Sequence, residues 1–229
     1  MAACAPRAVT PPTRTFVMDS PSAPAVGHSD VQLDAASIIG EMLGPRLVGG
    51  DARVRHTVEP GVALEADGGV LHVTNNGQGG DRNGYTGRLG VLLHSQDRHW
   101  GLGAGVGGGL SPTAGTWGAA DVHGVVAGTN HYVRPMLGAG LGYSGPLGHH
   151  PFTVTLPGES PPGTTLQLPH NAIAQLHAGL ELGPPDTAVI LGLSLSRFWL
   201  REDSRVDNPS SHRQDNFAAL GIGLRIAID

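Results

Sequence analysis

Alternation constrains this chain more than any other feature. In segment after segment of about a dozen residues, apolar positions alternate with polar or glycine positions. Successive side chains on a β-strand point to opposite faces, so period two predicts strands with two unlike faces. Between 218 and 228, Ala218, Leu220, Ile222, Leu224, Ile226 and Ile228 share one face, and Ala219, Gly221, Gly223 and Arg225 the other. Trp100, Leu102, Ala104, Val106 and Leu110 alternate with glycines in 99–110, and Val133, Pro135, Leu137, Ala139, Leu141 and Tyr143 do so in 132–143. Segments 172–183 and 187–199 follow the same rule, and 52–66, 83–95 and 115–128 follow it more loosely. The sequence therefore predicts about eight strands of 12 to 15 residues. A tilted transmembrane strand needs about 9 to 11.

The connections alternate too. Gln96-Asp97, Gly128-Thr129-Asn130 and 183–186 read as tight turns, while 67–82, 145–170 and 201–213 read as long polar loops, with SPTAG of middle length. Outer-membrane barrels combine short periplasmic turns, long external loops and an even strand number.

Composition decides which solvent each face meets. Charged residues are only 14% of the chain and glycine accounts for 36 residues. A barrel with its Leu and Val faces inward would show water mostly bare glycine, a poor soluble surface. Turned outward, those faces suit lipid, and closure leaves no unpaired strand edge for lipid to meet. Tyr85, Trp100, Tyr143 and Trp199 fall near the ends of outward faces, where an aromatic girdle would lie. No apolar run approaches the roughly 18 to 20 residues of a transmembrane helix.

Residues 51–229 resemble the small eight-stranded outer-membrane barrels, the group with OmpA-type, OmpX-type and OmpW-type domains. Chains of that group end in a signal of glycine, two residues, apolar, one residue, apolar. Gly223, Ile226 and Ile228 stand at that spacing. The resemblance implies an all-β, closed, antiparallel up-and-down transmembrane barrel of a bacterial outer membrane, partnered by outer-membrane lipid and the barrel-assembly machinery.

Residues 1–50 read as a flexible tail. Its 5–30 stretch is rich in Pro, Ala, Ser and Thr, a composition suited to a linker. A short helix over 34–43, capped by Asp34, is expected inside it. Ala2-Ala3-Cys4 resembles the end of a bacterial lipoprotein cleavage site. Cys4 is then either the lipidated first residue of the mature chain, tethered to the periplasm-facing leaflet, or an incidental tail residue. No secretion signal is visible at Met1, so export calls for a start further upstream.

The polar faces carry Arg53, Arg55, Glu59, Arg88, Arg134, His177, Glu181 and Arg225. On the lumen side these residues form an expected ion-pair network, with Glu181 pairing Arg134 or Arg225, because an unpaired buried charge is expensive. Lining a pore is their other reading. Two GxGxxG matches, starting at Gly103 and Gly140, lie inside alternating segments and read as strand glycines, not nucleotide sites. The twelve His show no zinc-ligand spacing, and Ser210-Ser211-His212 with Asp215 matches no hydrolase motif. A net charge of −5 and no Arg-rich block give no reason to expect nucleic acid. No cofactor, metal or catalytic residue is expected.

The leading function class is a non-enzymatic outer-membrane barrel whose outward loops serve surface interaction or envelope integrity. The alternatives are a narrow channel for small apolar molecules, a lipid-modifying outer-membrane enzyme and a soluble lipocalin-like barrel.

Overall fold

The computed structural model describes residues 8–14, 19–40, 46–74, 82–154, 163–184, 186–206 and 213–228. The strands are β1 (Ser29–Gly40), β2 (Arg46–Glu59), β3 (Val62–Thr74), β4 (Arg82–His94), β5 (Trp100–Ser111), β6 (Gly115–Ala127), β7 (Val133–Pro146), β8 (Phe152–Val154), β9 (Thr164–Leu166), β10 (Asn171–Leu182), β11 (Thr187–Leu200) and β12 (Gln214–Ile228). All but β8 and β9 form one closed antiparallel barrel of ten strands, sealed where β1 pairs with β12. The short β8 and β9 pair with each other in the connection between β7 and β10.

Ten strands replace the expected eight for two local reasons. The segment 52–66 is not one strand. It holds the end of β2, a turn at Pro60-Gly61 and the start of β3. Proline lacks a ladder donor, and Gly61 takes φ +84°, a left-handed conformation cheap only for glycine. Second, the helix expected over 34–43 does not form. Residues 29–40 are β1, and Asp34 pairs with Asp51 on one side and Gly223 on the other. Leu33, Ala35 and Ser37 face out, while Gln32, Asp34, Ala36 and Ile38 face in. Two adjacent strands each offered a full ladder, and that pairing overrode the local helical preference. The barrel therefore starts at residue 29, within the expected tail.

The connections sort onto two ends. Residues 60–61, 95–99, 128–132 and 183–186 lie at one, the turn end, together with the start of β1 and the end of β12. At the other, the loop end, lie residues 112–114, the ends of β1, β3, β7 and β11 and the starts of β2, β4, β10 and β12.

The barrel wall is inverted relative to a soluble barrel. Leu89, Val106, Leu141 and Leu220 face outward at 63–68% exposure. Tyr85, Trp100, Tyr143 and Trp199 also face outward, Trp100 at the turn end and the other three toward the loop end. Arg197 is outward as well, close to the loop end, where it sits 5.6 Å from the Trp199 ring and donates to Gln214.

The filled lumen as candidate functional site

Inward positions of several strands converge on one charged cluster. Arg53 and Arg55 on β2 reach Asp67 and Glu65 on β3, at 2.6 and 2.8 Å. Arg88 on β4 contacts Glu65 and Asp67, both at 3.0 Å. The same guanidinium forks onto Asp121 of β6 through Nε (2.7 Å) and Nη2 (2.9 Å). Bidentate charge-assisted pairs of this kind are among the stronger hydrogen bonds. Nearer the turn end, Glu181 on β10 accepts from Arg134 on β7 (3.2 Å) and Arg225 on β12 (2.9 Å). Arg134 also donates to the carbonyl of Arg98 in the turn below it, at 2.6 Å.

Glycine makes room for these side chains. A Cβ at Gly105 would lie 2.3 Å from the Arg88 guanidinium, and one at Gly103 would lie 2.3 Å from the His123 ring. The glycine-rich face of β5 is the floor on which Arg88 and His123 rest.

The rest of the lumen is filled by the chain's own N-terminal segment. Described stretches 8–14 and 19–24 run inside the barrel, with Thr10, Thr13, Arg14, Asp19, Ser20 and Ser22 all buried. Arg14 donates to Asp19 (2.6 Å) and Glu65 (2.8 Å), and Arg53 donates to Asp19 (2.9 Å). Thr13 donates to Asp121 (2.7 Å). Ser20 donates to Glu181, Arg134 donates to Ser22, and Arg55 donates to the Ser22 carbonyl. At the turn end the Thr57 hydroxyl donates to the Pro24 carbonyl (2.9 Å), and Ala23 packs with Ala63 and Leu92. The segment is thus a plug bonded to the wall along its length, not the expected 5–30 linker. Its few apolar residues cannot form a core alone, but its hydroxyls and charges satisfy inward groups the barrel would otherwise leave open.

Of the eight residues expected in the network, the structure places Arg53, Arg55, Arg88, Arg134, Glu181 and Arg225 in the lumen, each buried and within ion-pair distance of an opposite charge. His177 is buried in the lumen, but neither ring nitrogen has a hydrogen-bond partner among the described residues. Glu59 is a correction. The β2–β3 register shifts between Thr57 and Glu59, and Glu59 is exposed beside the Pro60-Gly61 turn. Cys4 lies outside the described residues.

Sequence reasoning missed Arg14, Asp19 and Asp67, and it left Glu65, Asp121 and His123 out of the network although their faces were polar. Period two continued past the turn through Leu64, Glu65, Ala66 and Asp67, a readable signal for two of these. Among the described residues no group of His, Cys, Asp and Glu is arranged to hold a metal ion.

No family model matches the chain, and no curated protein matches it. Among solved structures, it is similar to an outer membrane channel from Pseudomonas putida F1, at 12% identity and TM-score 0.50, covering 94% of this chain and 100% of that one. Other matches are the translocator domain of autotransporter NalP from Neisseria meningitidis (12%, 87% and 88% covered, TM-score 0.46) and Neisserial surface protein A (13%, 86% and 96%, TM-score 0.40). At such identities the likeness concerns fold, and only the first is close enough to weigh. With the closed ladder, the apolar outer wall and the charged interior, it gives one conclusion: this chain has the fold of an outer-membrane β-barrel.

Proposed function

We propose that this protein is a non-enzymatic outer-membrane barrel that is closed at rest and acts through its loop face. The outward Leu and Val wall supports residence in lipid, with insertion by the barrel-assembly machinery, over a soluble lipocalin-like barrel. One observation carries the closed state. The lumen is occupied by residues 8–14 and 19–24, bonded to Glu65 on β3, Asp121 on β6, and Asn171 and Glu181 on β10. A conduit needs an open, weakly binding path, and this interior is filled by a segment hydrogen-bonded to the wall. The surface left for contact with other molecules is the loop end, where β7 and β11 end.

Planar-bilayer recording tests this reading. The full chain is expected to give no steady current at low voltage, and a chain lacking residues 1–24 is expected to conduct. Steady conductance by the full chain would refute the closed barrel, and recovery of the protein in a soluble fraction would refute the membrane assignment.

A further inference from the structure

The direction in which the plug is threaded has a consequence for the N-terminus. Its later part lies at the turn end, where Gly27 N donates to Thr57 O (2.8 Å) just before β1 begins. Its earlier part lies at the loop end. Thr10 N donates to Asn171 Oδ1 (3.1 Å), and the Thr10 carbonyl accepts from Ser144 Oγ (3.0 Å) and Asn171 Nδ2 (3.1 Å). Ser144 is near the end of β7 and Asn171 is the first residue of β10, so both mark the loop end. Ala8 N donates to Ser204 Oγ (3.0 Å), in the long connection between β11 and β12. Val9 packs on Ile173, Phe198 and Leu200, an apolar collar at the same end. Polar and apolar contacts thus agree on polarity: residue 8 is at the loop end and residue 28 at the turn end.

We propose that the plug is threaded with residue 8 toward the outer surface of the membrane and residue 28 toward the inner side, the lumen serving as a sleeve that holds the segment in that direction. This rests on the reading that the loop end faces outward. Cys4 stands four residues before Ala8, a reach of at most about 14 Å at roughly 3.3–3.6 Å per residue, against a hydrocarbon layer about 30 Å thick, so it reports the side of the membrane on which residue 8 lies. Residue 8 at the outer surface conflicts with Cys4 lipidated in the periplasm-facing leaflet. It makes Cys4, the sole cysteine, a built-in reporter.

The test uses the full chain in a Gram-negative host and a membrane-impermeant maleimide. On intact cells Cys4 is expected to label. In a Cys4→Ser background, Thr113→Cys at the loop end is expected to label, and Thr129→Cys at the turn end only after the envelope is opened. Cys4 labelling that follows Thr129→Cys instead would overturn the proposal. If the two reference positions label alike, the outer-membrane reading is what has failed. Threading is then decided on purified folded protein, as it is if Cys4 proves unreactive even after denaturation. There, in the Cys4→Ser background, Ala8→Cys is expected to form a disulfide with Ser204→Cys and not with Thr129→Cys. The reverse pairing, or none, sinks the threading direction.

Discussion

Glu65 concentrates the lumen's electrostatics on one carboxylate. It receives Arg14, Arg55 and Arg88 at 2.8–3.0 Å. Removing one partner of a buried pair leaves uncompensated charge, typically at a cost of about 3–5 kcal/mol. Glu65→Ala is therefore expected to lower the unfolding midpoint of the refolded barrel sharply, and Glu65→Gln, which keeps the shape and some hydrogen bonds, to lower it less. Urea titration in bilayers or detergent reads both, and equal tolerance of the two would argue against a charge role. The opposite faces of β12 make a second residue-level contrast. Ile222 is half exposed to the outside and Gly221 faces in. Ile222→Arg is expected to cost about 2–4 kcal/mol near the bilayer midplane, and Gly221→Ser far less. A similar loss at both positions in a refolding assay would contradict the inside-out wall.

At the scale of elements, β5 shows why its glycines belong where they are. Gly105 lies under an Arg88 that is pinned by Asp121, Glu65 and Asp67, so that guanidinium cannot swing away freely. Gly105→Val is expected to push Arg88 off Asp121 and to destabilise the barrel by an amount of the same order as losing an ion-pair partner. Outward-facing Gly87 on β4 has only the Asp67 carbonyl near a new Cβ, at 3.9 Å, and Gly87→Val should be tolerated. Melting curves of the two variants side by side check this. The strands β4 to β7 and β10 to β12 were legible to within a few residues, because alternation holds over most of their length and their turns carry Gly, Pro, Asn or Asp. The strand β1 was not. Its Asp30, Gln32 and Asp34 do alternate with Val31, Leu33 and Ala35, but Asp34 followed by Ala-Ala-Ser-Ile-Ile also fits a capped helix. Short segments satisfy both periods, and only the presence of two partner strands separates them.

For the whole molecule, the barrel and its plug act as one body. Arg14 and Asp19 are the plug's charged anchors in the middle of the lumen, tied to Glu65, Asp67 and Arg53. Arg14→Ala with Asp19→Ala removes one positive and one negative charge, so the net charge of the lumen is unchanged while its anchors are lost. The double variant is expected to show transient current openings in planar bilayers that the parent chain lacks, with the barrel still folded. A silent double variant would place the plug's hold in the Thr10, Ser20 and Ser22 contacts instead.

The sequence by itself determined most of the strands, their two faces and that one face is apolar throughout. Those properties are local: backbone geometry alternates side chains, and a face that is aliphatic over ten residues suits only an apolar solvent. It also called for the inward arginines to meet carboxylates, because an unpaired buried charge is expensive. Which carboxylate each arginine would find, that Glu59 would fall outside, and that a Pro-rich stretch would fill the lumen were decided by tertiary structure. The physical reason is distance along the chain. Thr10 meets Asn171 across 161 residues and Ser20 meets Arg225 across 205, and the same polar residues that make a segment look like a solvated linker satisfy a polar lumen once a closed barrel surrounds them.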